Sequence, residues 1–341
     1  MAETMKKYIK DIFKFILFLA LGLFFVWLSV KDLDSSQRSM IWTNISNVFY
    51  DQRWIFLLFC MLIGVLSVWF RAFRSILMLN PLGYQVSKMN SYHAIMICYL
   101  GNLAFPRLGE VLRCTILQTH EKVPFQKSLG TVVAERIIDV LICGIMFIIA
   151  LFLEYDKLSA IFTESNSWER MMDFFKGKGK YIVIAIALAL LVIIYLLRNK
   201  IKDIPLVKKI KSVIWGFWEG LISVKNVQNP IAFALHSIGI WVCYYLMFYI
   251  CSFAFPEFSA LGTQALLASL TCVVIGTFGF IVAQGGLGAY PLLVSLVLAL
   301  YGLTPEYGLA IGWVIWTTEN AMYLILGLLS LVIVSLKKRK S

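Results

Sequence analysis

The chain has 341 residues, of which 60% are hydrophobic and 15% charged. A soluble domain carries roughly 25% charged residues, so a soluble globular protein is excluded and a polytopic membrane protein is expected. The net charge of +12 does not point to nucleic acid, because the Lys and Arg sit at the ends of apolar stretches, as cytoplasmic loops and anionic headgroups require.

Residues 1–10 are polar and basic, and Lys6, Lys7 and Lys10 predict a cytoplasmic N-terminus. Residues 12–30 read as a first span, long enough to cross roughly 30 Å of hydrocarbon. No small-residue cleavage site follows, so an uncleaved span is expected rather than a signal peptide. Residues 31–53 form an outer loop in which Met40, Ile41, Ile45, Val48 and Phe49 recur at near-helical spacing, as in an interfacial helix. Residues 54–70 are a second span running inward, closed by Arg71 and Arg74, and Asn80-Pro81-Leu82-Gly83 is a turn.

Residues 91–105 are apolar but short, and residues 107–127 are basic. The spacing predicts a helical hairpin over 91–117 that enters from the cytoplasm and returns, with Pro106 near its tip. Residues 131–153 are a full outward span. Residues 154–180 are a mixed-charge outer loop, and 181–197 an aliphatic inward span. The basic block at Arg198, Lys200, Lys202, Lys208, Lys209 and Lys211 is the firmest cytoplasmic marker. Residues 213–224 read as an amphipathic surface helix.

Residues 230–253 are an aromatic-rich outward span, in which His236 and Tyr245 are candidates for lining a cavity, although packing is the commoner role for such residues. Residues 262–280, the Gly-rich turn at Gly285, Gly286 and Gly288, and an apolar return over 291–300 form a second broken hairpin, entering from outside. Residues 309–336 are the last inward span, with Glu319 and Asn320 near its middle. The fold class expected is thus an all-α polytopic membrane protein with six full spans and two broken helical hairpins. It forms one membrane domain over 1–341, with both termini cytoplasmic. Residues 54–153 and 230–336 present the same three elements with opposite orientation, a possible inverted repeat of the kind transporters use. Residues 1–53 and 181–229 are the N-terminal and linking segments.

The seven Cys lie in or beside apolar spans and none is spaced C-x-x-C, which argues against disulfides and zinc. The three His are scattered, so no metal site and no cofactor is expected. The polar exceptions concentrate in two short stretches. Arg107, Glu110 and Arg113 follow one another at steps of three. Glu135 and Asp139 lie four apart on one helical face, with Arg136 in reach of Asp139. Ionisable groups at membrane depth cost roughly 2.5–3.5 kcal/mol each on insertion scales and face partners or water. Two carboxylates this close repel unless a cation sits between them or one is protonated. Helix-breaking backbone at membrane depth is tolerated only when buried or lining a cavity. These residues predict a buried polar site, and an ion-paired structural plug without ligand is the alternative. Glu319 is a further candidate, expected on the cavity side because Trp316, Glu319 and Tyr323 share one face.

The run N-x-x-x-P-R-x-G-E-x-x-R from Asn102 to Arg113, and the following E-R-x-x-D from Glu135 to Asp139, resemble the transmembrane domain of lysylphosphatidylglycerol synthases, a flippase-like family with stand-alone members of this length. The stretch Gly285-Gly286-Leu287-Gly288 resembles the family's Gly-rich signature. The family often reads P-G-G-x-G-x-x-E there, whereas this chain has Gln284 in front and Pro291 in the acid's place. Together with the polar residues singled out above, the candidate substrate-binding set is Asn102, Arg107, Glu110, Arg113, Glu135, Arg136, Asp139, Gln284, Gly285, Gly286, Gly288 and Glu319. The resemblance implies a phospholipid, aminoacyl-lipid or polyprenyl-phosphate-linked substrate.

The function expected is a transporter or flippase of an anionic lipid headgroup in the cell membrane. Arg107 and Arg113 would bind phosphate through guanidinium forks. Glu135 and Asp139 would orient them or carry a proton. The partners expected are anionic membrane lipids, with a lipid-modifying enzyme as a candidate and no nucleic acid. The alternative is an integral-membrane enzyme, with Glu110 and Glu135 as acid and base, or a scaffold for such enzymes. The sequence carries no nucleotide-phosphate Gly loop and no nucleophile–base pairing, which weighs against the enzyme.

Overall fold

The computed structural model describes residues 20–31, 33–105, 107–154 and 227–337. Pro106, the start of the first span, the aliphatic span at 181–197, the basic block and the amphipathic segment after it lie outside these residues. Among the described residues the chain is helical throughout, with no strand. Ten helices carry the fold: α1 (Ala20–Val30), α2 (Ser35–Tyr50), α3 (Trp54–Leu79), α4 (Lys88–Ala104), α5 (Leu108–Glu121), α6 (Phe125–Leu153), α7 (Pro230–Ser252), α8 (Gln264–Val282), α9 (Ala289–Ala299) and α10 (Pro305–Leu336). Five of them, α3, α6, α7, α8 and α10, are long and apolar enough to cross a membrane. Leu, Ile and Phe cover their outward faces, as lipid contact requires.

α2 is fixed as a helix by its start. Asp34 accepts from the Gln37 backbone N–H at 2.8 Å, and Gln37 returns the bond to the Asp34 N–H at 3.0 Å, a capping box. That bond, with a second from the Ser36 hydroxyl, holds the Asp34 carboxyl below its usual range. Trp42, Phe49 and Tyr50 stay exposed along α2, and Gln37 ties it to Glu306 in the first turn of α10 at 2.6 Å.

The two broken hairpins are α4–α5 and α8–α9. In the first, Phe105 is extended and Arg107 adopts φ +63, a left-handed conformation that L residues avoid. Gly109 allows the arms to touch, because a Cβ there would collide with the Cys98 carbonyl. In the second, Gly285, Gly286 and Gly288 all have positive φ, which is why the break is built of glycine. α8 is longer than a hairpin arm needs to be, since its 19 residues could themselves cross a bilayer.

α10 relates the two. Lys337 at its end donates to Asn90 near the start of α4 at 2.7 Å, and Tyr323 stacks on Tyr99 further along α4, with ring centroids 4.2 Å apart. α4 therefore runs antiparallel to α10 and delivers its break to the middle of that helix. α9 turns directly into the start of α10, where Ser295 donates to Pro305 O at 3.1 Å. It runs back along α10, so that Trp316 Nε1 donates to Gly285 O at 2.6 Å. The hairpins enter from opposite ends of α10 and their breaks meet halfway, where Gln284 Nε2 donates to Leu103 O at 3.4 Å.

Candidate functional site

The deepest polar feature lies between α3, α5 and α6. The sequence places Arg71 and Arg74 at the close of an apolar span, but α3 continues to Leu79, so both side chains turn inward. Arg71 is 5% exposed and Arg74 is 0% exposed. Arg71 Nη1 donates to Asp139 Oδ2 at 2.8 Å, and Arg74 Nη1 to Asp139 Oδ1 at 2.6 Å. Arg74 Nη2 lies 3.9 Å from Glu135 Oε2, which places a cation between the two carboxylates. Arg113 of α5 grips Glu135 with both ends of its fork, at 2.9 and 2.6 Å, and donates to Ser75 Oγ at 2.8 Å. Bidentate, charge-assisted pairs of this kind are the strong ones.

The pairing crosses helices instead of running along them. Asp139 belongs to Arg71 and Arg74 and not to Arg136, although Arg136 is only three residues away. The reason is the direction of α6: Glu135 and Asp139 face α3 and α5, and Arg136 points to the side. Its Nη2 lies 3.3 Å from Glu110 Oε1, with the Arg136 side chain 45% exposed. Such a half-open pair contributes little, about 0–1 kcal/mol. Asn102 Nδ2 also donates to Glu110 at 3.3 Å, and Asn102 Oδ1 accepts from the Gly109 N–H at 2.9 Å, closing the start of α5 over the break. Arg107 stands at that break, exposed and without an ion pair or hydrogen bond among the described residues.

The buried balance is uneven. Three guanidinium groups, Arg71, Arg74 and Arg113, face two carboxylates. Each ion removed from water costs several kcal/mol, so a surplus cation calls for an anion. The surplus shows in the hydrogen bonding: Arg71 Nε, Arg113 Nε, and both Nε and Nη2 of Arg74 are buried with no acceptor among the described residues. The Glu110 Oε2 atom is likewise unpaired.

Two hydroxyls extend the cluster toward the centre of the molecule. Arg71 Nη2 donates to the Tyr244 hydroxyl of α7 at 2.9 Å, and Tyr244 and Tyr99 share a hydrogen bond at 3.3 Å. Tyr99 stacks on Tyr323, one turn from Glu319 on α10. Glu319 is half-buried at the level where the two breaks meet, between Trp316 and Tyr323, and is apart from the Arg cluster. Gln284 and Gly285 lie at the same level, bonded to Leu103 and Trp316. Gly286 packs beneath Phe280 and Tyr290, and Gly288 lies against the backbone of Phe25 and Val26 on α1.

The structure therefore brings Glu110, Arg113, Glu135, Arg136, Asp139 and Asn102 into one region and leaves Arg107 at its edge. Gln284, Gly285 and Glu319 form a second group at the meeting of the breaks. His236 packs flat on Phe73, centroids 5.4 Å apart, and Tyr245 stacks on Tyr249, so both serve as packing. Sequence reasoning missed Arg71, Arg74, Ser75, Tyr99 and Tyr244. For the two arginines a signal existed: they lie three apart on one helical face, and the apolar run resumes after them at Ile76, Leu77, Met78 and Leu79.

The family model of the lysylphosphatidylglycerol synthase transmembrane region matches residues 15–327. Comparison with curated proteins and with solved structures gives no match.

Proposed function

We propose, for a chain that belongs to the lysylphosphatidylglycerol synthase transmembrane-region family, that it carries an anionic lipid headgroup between the leaflets of its membrane. Membership implies a function in membrane-lipid chemistry. The finer reading rests on one observation: buried guanidinium groups outnumber the carboxylates that face them, and four of their nitrogens lack an acceptor among the described residues. A phosphate supplies the missing charge and the missing acceptors together, and the guanidinium fork matches its geometry. Exposed Arg107 and half-exposed Arg136 at the first break are the first groups a headgroup meets. These groups stand beside the apolar outer face of α6, which suits a lipid whose tails stay in the bilayer.

The charges that stay paired set the rest of the mechanism. Asp139 and Glu135 hold the Arg71, Arg74 and Arg113 side chains in place, so that their free nitrogens are presented in fixed directions. The two hairpins, entering from opposite ends of α10, serve as gates on the two sides, and the halves 54–153 and 230–336 act as inverted repeats. Both termini face the cytoplasm in this scheme. Reporter fusions at Lys122 should then read cytoplasmic, and fusions at Pro256 and Thr304 outer. The same side for all three would end the two-gate scheme.

The test of function is reconstitution of the full chain in phosphatidylcholine vesicles with tail-labelled phosphatidylglycerol. Wild type is expected to exchange the label between leaflets. Arg107→Ala, which touches no partner, is expected to slow it by about tenfold or more, the loss of one charge-assisted bond of roughly 1.5–3 kcal/mol. Equal rates for wild type, Arg107→Ala and empty vesicles, across several anionic lipids, would end the transport reading.

A further inference from the structure

An acid with no partner stands where the two hairpin breaks meet. Glu135 and Asp139 are each held by guanidinium groups. Glu319 has neither an ion pair nor a hydrogen bond among the described residues. It sits halfway along α10, one turn from Trp316, which holds Gly285 of the second break. One turn the other way lies Tyr323, which stacks on Tyr99 just before the first break. An ionised carboxylate without a donor or a cation is unfavourable at membrane depth. A proton or a metal cation would relieve it. A single carboxylate does not supply the several oxygens that a Na⁺-, Mg²⁺- or Ca²⁺-like ion needs.

We propose that Glu319 is the proton site of this protein, taking up a proton at one membrane face and releasing it at the other as the headgroup moves. The proposal rests on the transport reading above. Its position gives it both faces: a shift of either break relative to α10 changes the surroundings of Glu319 first. It is also wired to the arginines. Tyr323 stacks on Tyr99, Tyr99 bonds Tyr244, and Tyr244 accepts from Arg71. A change in charge at Glu319 therefore acts on the headgroup site through three aromatic side chains. The proton adds one positive charge to the carboxylate side as the phosphate brings one negative charge to the arginine side. The pair then crosses without net charge, which a hydrocarbon barrier favours.

The groups facing Glu319 leave it the task alone. Cys60 from α3, Cys251 from α7, Cys272 from α8 and Tyr290 from α9 belong to the core against which Trp316, one turn before Glu319, packs. Tyr323 lies one turn after Glu319 on its own helix. Behind Tyr323 come Tyr99, Tyr244 and Arg71. Thiols and phenols ordinarily titrate near 8.5 and 10. From α4, the His93 ring lies 3.0 Å from the Ser330 hydroxyl of α10, about three turns away, and α2 meets α10 at Glu306, at its start.

Two measurements decide the matter. Infrared titration of the purified full chain between about pH 5 and 9 reads protonated carboxyl groups directly, and His93 contributes nothing to that band. A carboxylic-acid band that appears in wild type and is missing from Glu319→Gln supports the site. Absence of such a band in wild type, or its persistence in the variant, overturns it whether or not lipid moves. In vesicles, an imposed pH gradient should change the wild-type rate of labelled phosphatidylglycerol exchange several-fold. In Glu319→Gln the ratio of rates with and without the gradient should fall to one, whatever the basal rate. A wild-type rate equally unresponsive to the gradient, or responsive to Na⁺ instead, also overturns the proposal. If wild type moves no lipid while the infrared band behaves as stated, transport fails and the proton site stands.

Discussion

The two hairpins have one architecture and opposite interiors. The arms α4 and α5 pack onto α3 and α6 across a layer of ion pairs, with Arg74 at 0% exposure and Glu135 at 1%. The arms α8 and α9 pack onto α7 and α10 through Cys251, Cys272, Val273, Val294 and Ile315, with no charge among them. Close approach there comes from glycine: Gly279 lies against the backbone of Tyr290, Gly308 against Ser295 and Gly312 against Pro291. The second hairpin teaches that a broken helix can be seated in this fold without ions. The ion layer of the first is then an addition that costs desolvation and that seating alone does not require.

The largest effect should come from removing the central cation. Arg74→Ala leaves Asp139 with Arg71 and Glu135 with Arg113, but strips the buried Asp139 Oδ1 of its donor. A loss of about 3 kcal/mol is expected, the upper cost of leaving a buried acceptor unsatisfied, read as a lowered unfolding temperature in detergent or as failure to accumulate. The double change Arg113→Leu with Glu135→Leu removes a complete pair, and replacement of a buried pair by apolar residues is often near neutral. That variant should fold close to wild type and fail to move lipid. If it folds and still transports, the bidentate Arg113–Glu135 pair has no part in moving the headgroup, and the transport reading of the ion layer fails.

The next effect tests whether the hairpins share their glycine hinge logic. A Cβ at Gly109 would collide with the Cys98 carbonyl, and one at Gly279 would lie 2.8 Å from the Tyr290 backbone. Both contacts are with backbone, which cannot swing aside. Gly109→Ala and Gly279→Ala should each cost about 1–3 kcal/mol, the usual cost of overpacking, read as shifts of the thermal transition. A loss confined to Gly109 would mean that the apolar hairpin repacks more freely than the charged one.

Most of the frame was legible in the sequence because hydropathy and breakers write it plainly. Both hairpins follow from short apolar runs around Phe105-Pro106-Arg107 and around Gly285-Gly286-Leu287-Gly288, and the interfacial helix follows from the spacing of Met40 to Phe49. The acids of the cluster were legible too, since Glu135 and Asp139 interrupt an otherwise apolar span. Their partners were not. Local spacing suggests Arg136 for Asp139, but pairing at membrane depth is decided by which helix faces which, and α3 lies nearer than the next turn of α6. Arg71 and Arg74 look like span-ending charges because a window of apolar residues closes just before them. Tyr99 and Tyr244 were hidden for another reason: aromatic residues are common in such helices, and only the hydroxyl contacts to Arg71 set these two apart.

The smallest effect concerns the place where the two interiors meet. One amide-to-carbonyl bond, Gln284 Nε2 to Leu103 O at 3.4 Å, joins the breaks directly. At that length it is weak, and Gln284→Ala should cost no more than about 0.5 kcal/mol, the low end for a neutral bond. The unfolding temperature should barely move. The consequence is expected in the dynamics, because the bond ties the turn at 284–286 to the end of α4, while Trp316 and Tyr323 tie each break separately to α10. Hydrogen exchange at the backbone of residues 101–109 should quicken in Gln284→Ala, and exchange along α8 and α9 should stay as it was, since the apolar packing and close glycine contacts there do not depend on this bond. Quickened exchange in both hairpins would mean that they open as one unit. No change in either would mean that α10 alone holds the breaks together, and that the charged and apolar halves move independently about it.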